Sequence, residues 1–203
     1  MKIKRIVVTG GPCGGKSTAL SYIKRTAEAE GFRVLTVGET ATELISGGVA
    51  PWTCKTNAAY QGFQIALQIY KEDIFLAAAD GMDAEKLLLV CDRGLLDNRA
   101  YMTEEEFFVC LSARGDALAD YVSRYDAVFH LVTAANGAES FYSTANNAAR
   151  TETPEEARLV DERLLVAWSE HPRRYVFDNR GSFSDKMERL CDTLKSVLRE
   201  AEK

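Results

Sequence analysis

The feature that most constrains this chain is a glycine-rich segment, residues 10–17, which reads GGPCGGKS. It fills every position of the pattern G-x-x-x-x-G-K-[ST]. Residues 3–9, just before it, form a β-branched run typical of a buried strand, and residues 17–30 after it carry apolar side chains at helical spacing and end at Gly31. A strand, a glycine-rich turn and a helix in this order predict a βα unit that binds phosphate groups.

The segment offers a separate role to each kind of residue in it. Glycines let backbone N–H groups turn inward around a polyphosphate, and the start of the helix adds the positive end of its dipole. Lys16 would reach the β- and γ-phosphates, and the Ser17 hydroxyl would bind Mg²⁺. A dinucleotide-binding turn is disfavoured because Pro12 stands where G-x-G-x-x-G needs its second glycine. The sequence predicts a nucleoside triphosphate site made of Gly11, Pro12, Cys13, Gly14, Gly15, Lys16, Ser17 and Thr18.

Length and composition limit the partners that fit this chain. Its 203 residues predict one domain over residues 1–203, and its formal charge of −5, without a basic run longer than two residues, argues against nucleic acid. Its five cysteines form no C-x-x-C pair, which favours a reducing cytoplasm over a disulfide framework or a zinc site. No apolar run is long enough to span a bilayer. We expect a cytoplasmic protein without a membrane partner.

Apolar runs alternate with helical stretches along the chain, which predicts an α/β fold, a parallel sheet with crossover helices. Asn57 is predicted to cap a long helix over 57–80, and Thr103 and Thr153 each begin a capping box. Five strands with ligand contacts at their carboxyl ends predict a three-layer P-loop NTPase sandwich. The predicted strands are 3–9, 33–37, 87–91, 126–132 and 174–177.

Two segments lie outside the minimal strand–helix alternation. Residues 45–56 are loop-like, with paired glycines, a proline and a tryptophan, and residues 137–153 are polar and rich in Asn, Ala and Thr. Kinases of this fold keep an acceptor site and a lid at these two places. We expect a helical lid over about 137–158.

Asp92 and Arg93 directly follow the apolar strand at 87–91. A carboxylate at this point would hold Mg²⁺ directly or through water, and the neighbouring guanidinium would clamp a phosphate with two hydrogen bonds. The alternatives are that Asp92 only forms a turn and that Arg93 makes a surface ion pair.

Phosphoryl transfer to an acceptor also needs a proton acceptor and a counter-charge that closes over the phosphates. Glu39 follows the second strand and would accept the proton of an acceptor hydroxyl. The alternative is a glutamate favoured by a helix N-terminus. Arg150, in the predicted lid, is the preferred lid arginine, because Arg158 shares a helix with acidic residues and can pair with them.

Aromatic and amide side chains suggest where a planar substrate would bind. Trp52, Gln61 and Gln64 are candidates for the acceptor, through stacking and amide hydrogen bonds. Asp178 and Asn179 follow the fifth strand, where related folds contact adenine. A turn made of good turn-forming residues is the alternative for that last pair.

With these residues assembled, the chain resembles the compact AAA-domain P-loop proteins that group with nucleoside and nicotinamide riboside kinases, over about residues 4–195. The resemblance implies a sheet of order 2-3-1-4-5, a base of the Glu39 type and lid arginines, and it leaves the acceptor open. The motifs that carry it are VVTGGPCGGKST, Gly38-Glu39-Thr40, Phe63-Gln64, VCDRG, residues 146–150 with residues 153–158, and Asp178-Asn179.

These observations favour ATP- and Mg²⁺-dependent phosphoryl transfer to a small hydroxyl-bearing molecule, namely a nucleoside or a riboside. A regulatory or signalling NTPase without a small-molecule acceptor is the main alternative, and a nucleotide-sensing binding module is a third. A GTPase is disfavoured because no N-K-x-D motif follows a strand. The expected partners are a nucleoside triphosphate and a small acceptor.

Overall fold

The computed structural model describes residues 1–142 and 153–200. Its strands form one sheet of order β2-β3-β1-β4-β5, in which every neighbouring pair is parallel. The predicted α/β class and strand order are confirmed. The strands are β1 (Lys2–Thr9), β2 (Arg33–Val37), β3 (Lys86–Asp92), β4 (Ala127–Leu131) and β5 (Arg174–Phe177).

Helices lie between successive strands of the sheet, and short 3-10 segments follow β3 and β4. The 3-10 segments are Leu95–Tyr101 and Glu139–Phe141. The α-helices are α1 (Lys16–Ala29), α2 (Thr40–Ser46), α3 (Asn57–Ala79), α4 (Glu104–Arg114), α5 (Leu118–Ser123), α6 (Pro154–Ala167) and α7 (Phe183–Arg199).

Both faces of the sheet are covered, which explains the continuous apolar runs in its inner strands β1, β3 and β4. Successive side chains of β1 point to opposite faces. Val7 packs into a core with α3, α4 and α6, whereas Ile6 and Val8 pack into a second core with α1 and α7. The result is a three-layer arrangement whose central strand, β1, leads directly into the glycine-rich loop.

Helix capping follows the sequence at two of the three predicted places. Thr103 and Thr153 form capping boxes at the starts of α4 and α6. Asn57 was the wrong cap for α3. Thr56 has extended backbone angles and accepts a hydrogen bond from the Ala59 N–H, while the Asn57 side chain donates to the Tyr101 carbonyl.

The two predicted insertions differ in what the structure describes of them. The first begins inside α2, since that helix runs to Ser46, and turns lead from there to α3. The second includes the 3-10 segment after β4 and the start of α6, while residues 143–152 lie outside the described part of the chain. Of the helices in the described ranges, none has the length and apolar character that crossing a membrane requires.

Candidate functional site

The glycine-rich loop lies between β1 and α1 in backbone conformations that favour glycine. Gly10 has φ +129°, and a Cβ atom there would lie 2.0 Å from the Leu131 carbonyl oxygen of β4. Gly15 has φ +89°, and its added Cβ would lie 2.6 Å from the Phe183 ring. The loop therefore needs glycine at both places, because of backbone angle and of close packing.

The start of α1 offers unpaired N–H groups to an anion. Gly15 is the N-cap and brings no side-chain hydrogen bond, and the first turn contains no acidic residue. Ser17 and Thr18, in that first turn, are exposed. The first N–H groups of a helix have no partner within the helix, and the helix dipole adds positive potential there. This end of α1 can accept a phosphate group.

Lys16 folds back over the loop. Its Nζ donates to the carbonyl oxygens of Gly10 at 2.9 Å and Gly11 at 2.8 Å. Burial, and next the Arg93 guanidinium, lower the pKa of Lys16 to about 7. An anion bound at the loop would oppose that shift, since a negative charge favours the protonated amine.

A cavity of about 940 Å³ opens beside the loop. It is lined by the loop and the first turn of α1, by the segment after β4, and by the segment that leads into α7. Phe183, half exposed at the start of α7, borders it. The cavity is large enough for a small-molecule ligand and it adjoins the free N–H groups of α1.

Buried side chains hold the loop from behind. The Thr133 hydroxyl donates to the Pro12 carbonyl at 2.5 Å, and the Asp161 carboxylate accepts from the Gly11 N–H at 2.6 Å. His130 lies 3.0 Å from the same carboxylate oxygen, and Lys186 donates to the Gly14 carbonyl at 3.1 Å. These residues come from β4, the segment after it, α6 and α7, so parts of the chain that are distant in sequence hold the loop in place.

Asp92 ends β3 beside β1, where it pairs in register with Val8. Burial raises the pKa of Asp92, and the neighbouring carboxylates Glu39 and Asp97 raise it further, while Arg93 and Lys16 act in the opposite direction. The structure gives this carboxylate no hydrogen-bond donor within the described ranges. Its role in holding Mg²⁺ remains a prediction.

The Arg93 side chain contacts both the glycine-rich loop and two carboxylates. It has φ +74°, rare outside glycine, and its side chain donates to the Gly10 carbonyl at 2.8 Å and to Glu39 at 3.2 Å. The Asp97 carboxylate lies 3.9 Å from Nη1 of Arg93, and it accepts hydrogen bonds from the Thr9 hydroxyl of β1 and from the Gly94 N–H. The observed contacts run inward to the loop rather than to a surface partner.

Glu39 lies just after β2, as the N-cap of α2, and its side chain is 36% exposed. It receives hydrogen bonds from Arg93 and from the Thr42 hydroxyl at 2.8 Å. Burial raises its pKa, but Arg93, Thr42 and Lys16 together lower it below the usual value. The carboxylate is therefore ionised at neutral pH.

The three residues predicted to bind the acceptor differ in how exposed they are. Gln61 and Gln64 are buried on α3, whereas Trp52 is 76% exposed in the turn before that helix. No hydrogen bond or ring contact joins the Trp52 side chain to another residue of the described ranges. Tyr60, next to Gln61, was not predicted: burial first, and then the Glu39 carboxylate, raise the pKa of its hydroxyl to about 12.

The two predicted residues after β5 have different contacts: Asn179 bonds the segment after β4, and Asp178 pairs with arginines. Asn179 donates to the carbonyls of Thr133 and Asn136, both at 2.7 Å, and accepts from Lys186. Asp178 pairs with arginines of its own turn and of α7. The Asn179 amide is thus occupied within the protein, while its contact with adenine remains a prediction.

The family model of the AAA domain matches residues 5–186 of this chain. The chain belongs to the AAA-domain family. No curated protein matches it. The model covers the glycine-rich loop, the carboxyl ends of all five strands, and α7 as far as Lys186.

A solved structure of deoxyadenosine kinase from M. mycoides with bound dATP is similar to this AAA domain over 95% of this chain and 99% of that one. The TM-score is 0.54 and the sequences are 14% identical. At this identity the likeness is one of fold. The AAA domain shares the P-loop kinase-like architecture with that nucleoside kinase.

The residues of this AAA domain fit a Mg²⁺ ion held in the usual way. In its described ranges no group of three or more acidic, histidine or cysteine side chains could hold a metal. Mg²⁺ commonly binds one or two protein oxygens together with waters and substrate phosphates. Ser17, exposed at the start of α1, and Asp92, without a hydrogen-bond donor, are the oxygens that suit this role.

The arginines of the predicted lid have different outcomes. Arg150 lies outside the described residues and remains a prediction. Arg158 donates to the Ala135 carbonyl at 2.6 Å and to Glu155 of its own helix at 2.7 Å. It thus pairs within α6, as its acidic neighbours suggested, and also ties that helix to the segment after β4.

Proposed function

We propose that this protein transfers the γ-phosphoryl group of ATP, in a Mg²⁺-dependent reaction, to a hydroxyl group of a small acceptor, a nucleoside or a riboside. The observation that carries the proposal is the contact set of Glu39. Arg93 donates a hydrogen bond to this carboxylate from Nε, and its Nη1 donates to the Gly10 carbonyl of the phosphate-binding loop. An ionised carboxylate tied to the loop in this way can accept the proton of an acceptor hydroxyl.

In the proposed reaction the acceptor oxygen attacks the γ-phosphorus, the bond to the β–γ bridging oxygen breaks, and ADP leaves. Glu39 accepts the proton of the acceptor hydroxyl. Lys16 and Arg93 offset the negative charge of the transferring group, as Arg150 would from the lid. Mg²⁺ held by Ser17 and Asp92 would add charge neutralisation at the phosphates.

Two buried polar atoms on α3 support a hydroxyl-bearing acceptor. Within residues 1–142 and 153–200, the Tyr60 hydroxyl and the Gln61 Oε1 atom have no hydrogen-bond partner. Leaving such groups unpaired costs free energy, which a ligand with hydroxyl or amide groups would recover. The neighbouring Glu39 acts on Tyr60 electrostatically, so these atoms and the proposed base belong to one region. Trp52 and Gln64 remain candidates for stacking and hydrogen bonding at its border.

A regulatory NTPase is the second candidate function, and one observation favours it. The Glu39 carboxylate already receives hydrogen bonds from Arg93 and Thr42, so it needs no substrate to be satisfied. In that case the carboxylate only orients Arg93 toward the phosphates, and water replaces the acceptor.

The test is ATP consumption by the purified protein, with Mg²⁺, across a panel of nucleosides, ribosides and cofactor precursors, with water as the control acceptor. We expect one class of acceptor to raise ATP consumption well above the rate with water alone, and a phosphorylated acceptor to be detected by mass. A rate that no acceptor changes would favour the NTPase, and an absence of turnover under every condition would favour a binding module.

A further inference from the structure

A lysine of the last described helix, Lys186, lies buried beneath the phosphate-binding loop with 2% of its surface exposed. Its Nζ donates to the carbonyl oxygens of Gly14 at 3.1 Å and Val132 at 2.9 Å, and to Oδ1 of Asn179 at 2.8 Å. An ammonium group has three donors, and all three are used. The side chain is held in one place by three separate segments of the chain.

The charge of Lys186 lacks a contacting counter-ion. In residues 1–142 and 153–200 no carboxylate lies within ion-pair distance of its Nζ. Asp161 acts on it at longer range and raises its pKa, but burial has the larger effect and lowers the pKa of Lys186 to about 8. Buried charges in proteins are normally paired, because removal from water is costly. A buried lysine with only dipolar acceptors is therefore suited to a ligand that brings negative charge.

The position of Lys186 indicates that such a ligand would bind in the cavity beside the loop. Together with Gly14, Gly15 and Lys16, it borders the cavity of about 940 Å³ beside the loop. Gly14 connects Lys186 to the start of α1. Its carbonyl oxygen accepts a hydrogen bond from Lys186, and the residues that follow it begin α1, whose first N–H groups have no partner within the helix. Lys186 thus lies behind the loop, and a bound polyphosphate would lie in front of it.

Lys186 also joins the loop to the segment after β5. Asn179, which accepts from Lys186, donates to the Thr133 carbonyl, and the Thr133 hydroxyl donates to Pro12 of the loop. These bonds form a closed circuit through Lys186 and Gly14. A change at Lys186 therefore alters the backbone of the loop as well as its charge.

We propose that Lys186 is a positioning residue of the nucleotide site, which fixes the Gly14 carbonyl from beneath the loop and sets a buried positive charge behind the position of a bound polyphosphate. The inference rests on the nucleotide-binding part of the proposed function and is independent of the acceptor.

The test compares Lys186→Met with Lys195→Met. Both changes remove one positive charge from α7, but Lys195 is exposed and pairs with Asp192. Binding of ATP, ADP and AMP is measured by calorimetric titration at a temperature where circular dichroism shows every variant folded. We expect Lys186→Met to weaken ATP and ADP binding by about 10-fold or more, the usual effect of losing a charged hydrogen-bonding group, and AMP binding by much less. Lys195→Met should bind all three as the unchanged protein does.

The dependence on phosphate number separates this role from a purely structural one. A loss of equal size for ATP and AMP, or no loss at all, would overturn the inference. An unchanged protein that binds none of the nucleotides would overturn the proposed function and the inference together. Should Lys186→Met fail to fold, Lys186→Gln keeps two polar donors without the charge. A selective loss of ATP affinity in that variant supports the inference, and unchanged affinity refutes it.

Discussion

Two regions of this protein, named here after their proposed roles, differ in how their buried side-chain polar groups are satisfied: the nucleotide side, which is the glycine-rich loop with the residues that hold it, and the acceptor side, which is the start of α3 around Tyr60 and Gln61. On the nucleotide side, Thr133, Asp161 and Lys186 bond the loop with distances of 2.5 to 3.1 Å. On the acceptor side, the Tyr60 hydroxyl and the Gln61 Oε1 atom are buried without a partner among the residues that the structure describes. The loop backbone is held by the protein before any ligand binds, whereas the other region has buried side-chain atoms that remain to be satisfied.

This difference indicates how each side would obtain its binding energy. A loop already held in its binding conformation does not have to be ordered when phosphate arrives, so little affinity is lost to ordering. Buried polar atoms without partners instead favour a ligand that carries complementary groups and reject one that lacks them. We expect the nucleotide side to contribute affinity and the acceptor side to contribute selectivity.

The largest effect is expected on the nucleotide side. Lys16→Ala removes the ammonium that would contact the phosphates, and turnover of ATP should fall by at least about 10³-fold, as for the loss of a main charge-stabilising group. Thermal stability should change little, because the lysine contacts only loop carbonyls. Lys24→Ala, on the exposed face of the same helix, is the control. Turnover within a few-fold of the unchanged protein would contradict the assignment of the loop.

Glu39→Gln tests the acceptor side at its base. We expect transfer to the best acceptor to fall by about 10²-fold or more, the usual contribution of a positioned base, with ATP affinity preserved. The transfer rate and the ATP dissociation constant are measured on the same preparation. Glu43→Gln, on the exposed surface of α2, serves as the neighbouring control. Transfer at the normal rate would favour the NTPase, and a parallel loss of ATP affinity would assign Glu39 to the nucleotide site.

Thr133→Val removes a hydroxyl whose bonds are all within the protein. The Pro12 carbonyl and the Ala135 N–H lose their partner, so the free energy of unfolding should decrease by about 1–3 kcal/mol. Thr36→Val, at an exposed position of β2, should change it by less than about 0.5 kcal/mol. Denaturant unfolding of both variants gives the comparison, and equal stabilities would mean that the loop is not held from behind.

Tyr60→Phe removes a hydroxyl that has no hydrogen-bond partner in the described part of the chain. We expect the free energy of unfolding to stay within about 0.5 kcal/mol, since no protein bond is lost, and the KM of the acceptor to rise by about 10-fold. Tyr125→Phe is the matched control, because that hydroxyl bonds both Glu72 and the Leu95 N–H. It should lower stability without changing the KM. A stability loss in Tyr60→Phe as large as in the control would remove the contrast between the two sides.

The same contrast explains what could be predicted from the sequence. The loop, its strand and its helix are contiguous, so residues 10–17 predict a phosphate site without knowledge of the rest of the fold. The parallel sheet follows from apolar runs that alternate with helical stretches, and the strand order follows from the family resemblance. The sequence predicted Asn57 as the cap of α3, but the cap is its neighbour Thr56; both are good capping residues, and only the backbone angles decide between them.

The residues that hold the loop were missed because their partners are distant in sequence. The bond from Asp161 to Gly11 spans 150 positions, and no local pattern encodes such a contact. Lys186 did leave a signal: it stands at helical spacing with the buried Leu190 and Leu194 of α7. A charged residue at a core position of an amphipathic helix indicates a buried polar role. Tyr60 left no such signal, because a tyrosine at a core position is ordinary.

The hydrogen bond from Lys186 to Gly14 spans 172 positions, and this separation bears on how the molecule is made. Synthesis proceeds from the N-terminus, so a ribosome releases the phosphate-binding motif long before α7. Contacts of such long range form late in folding, after the intervening chain has been brought together. A nascent chain therefore carries the motif well before it carries the finished pocket. If Lys186 positions the loop as we propose, the nucleotide site is complete only once α7 has docked against the sheet.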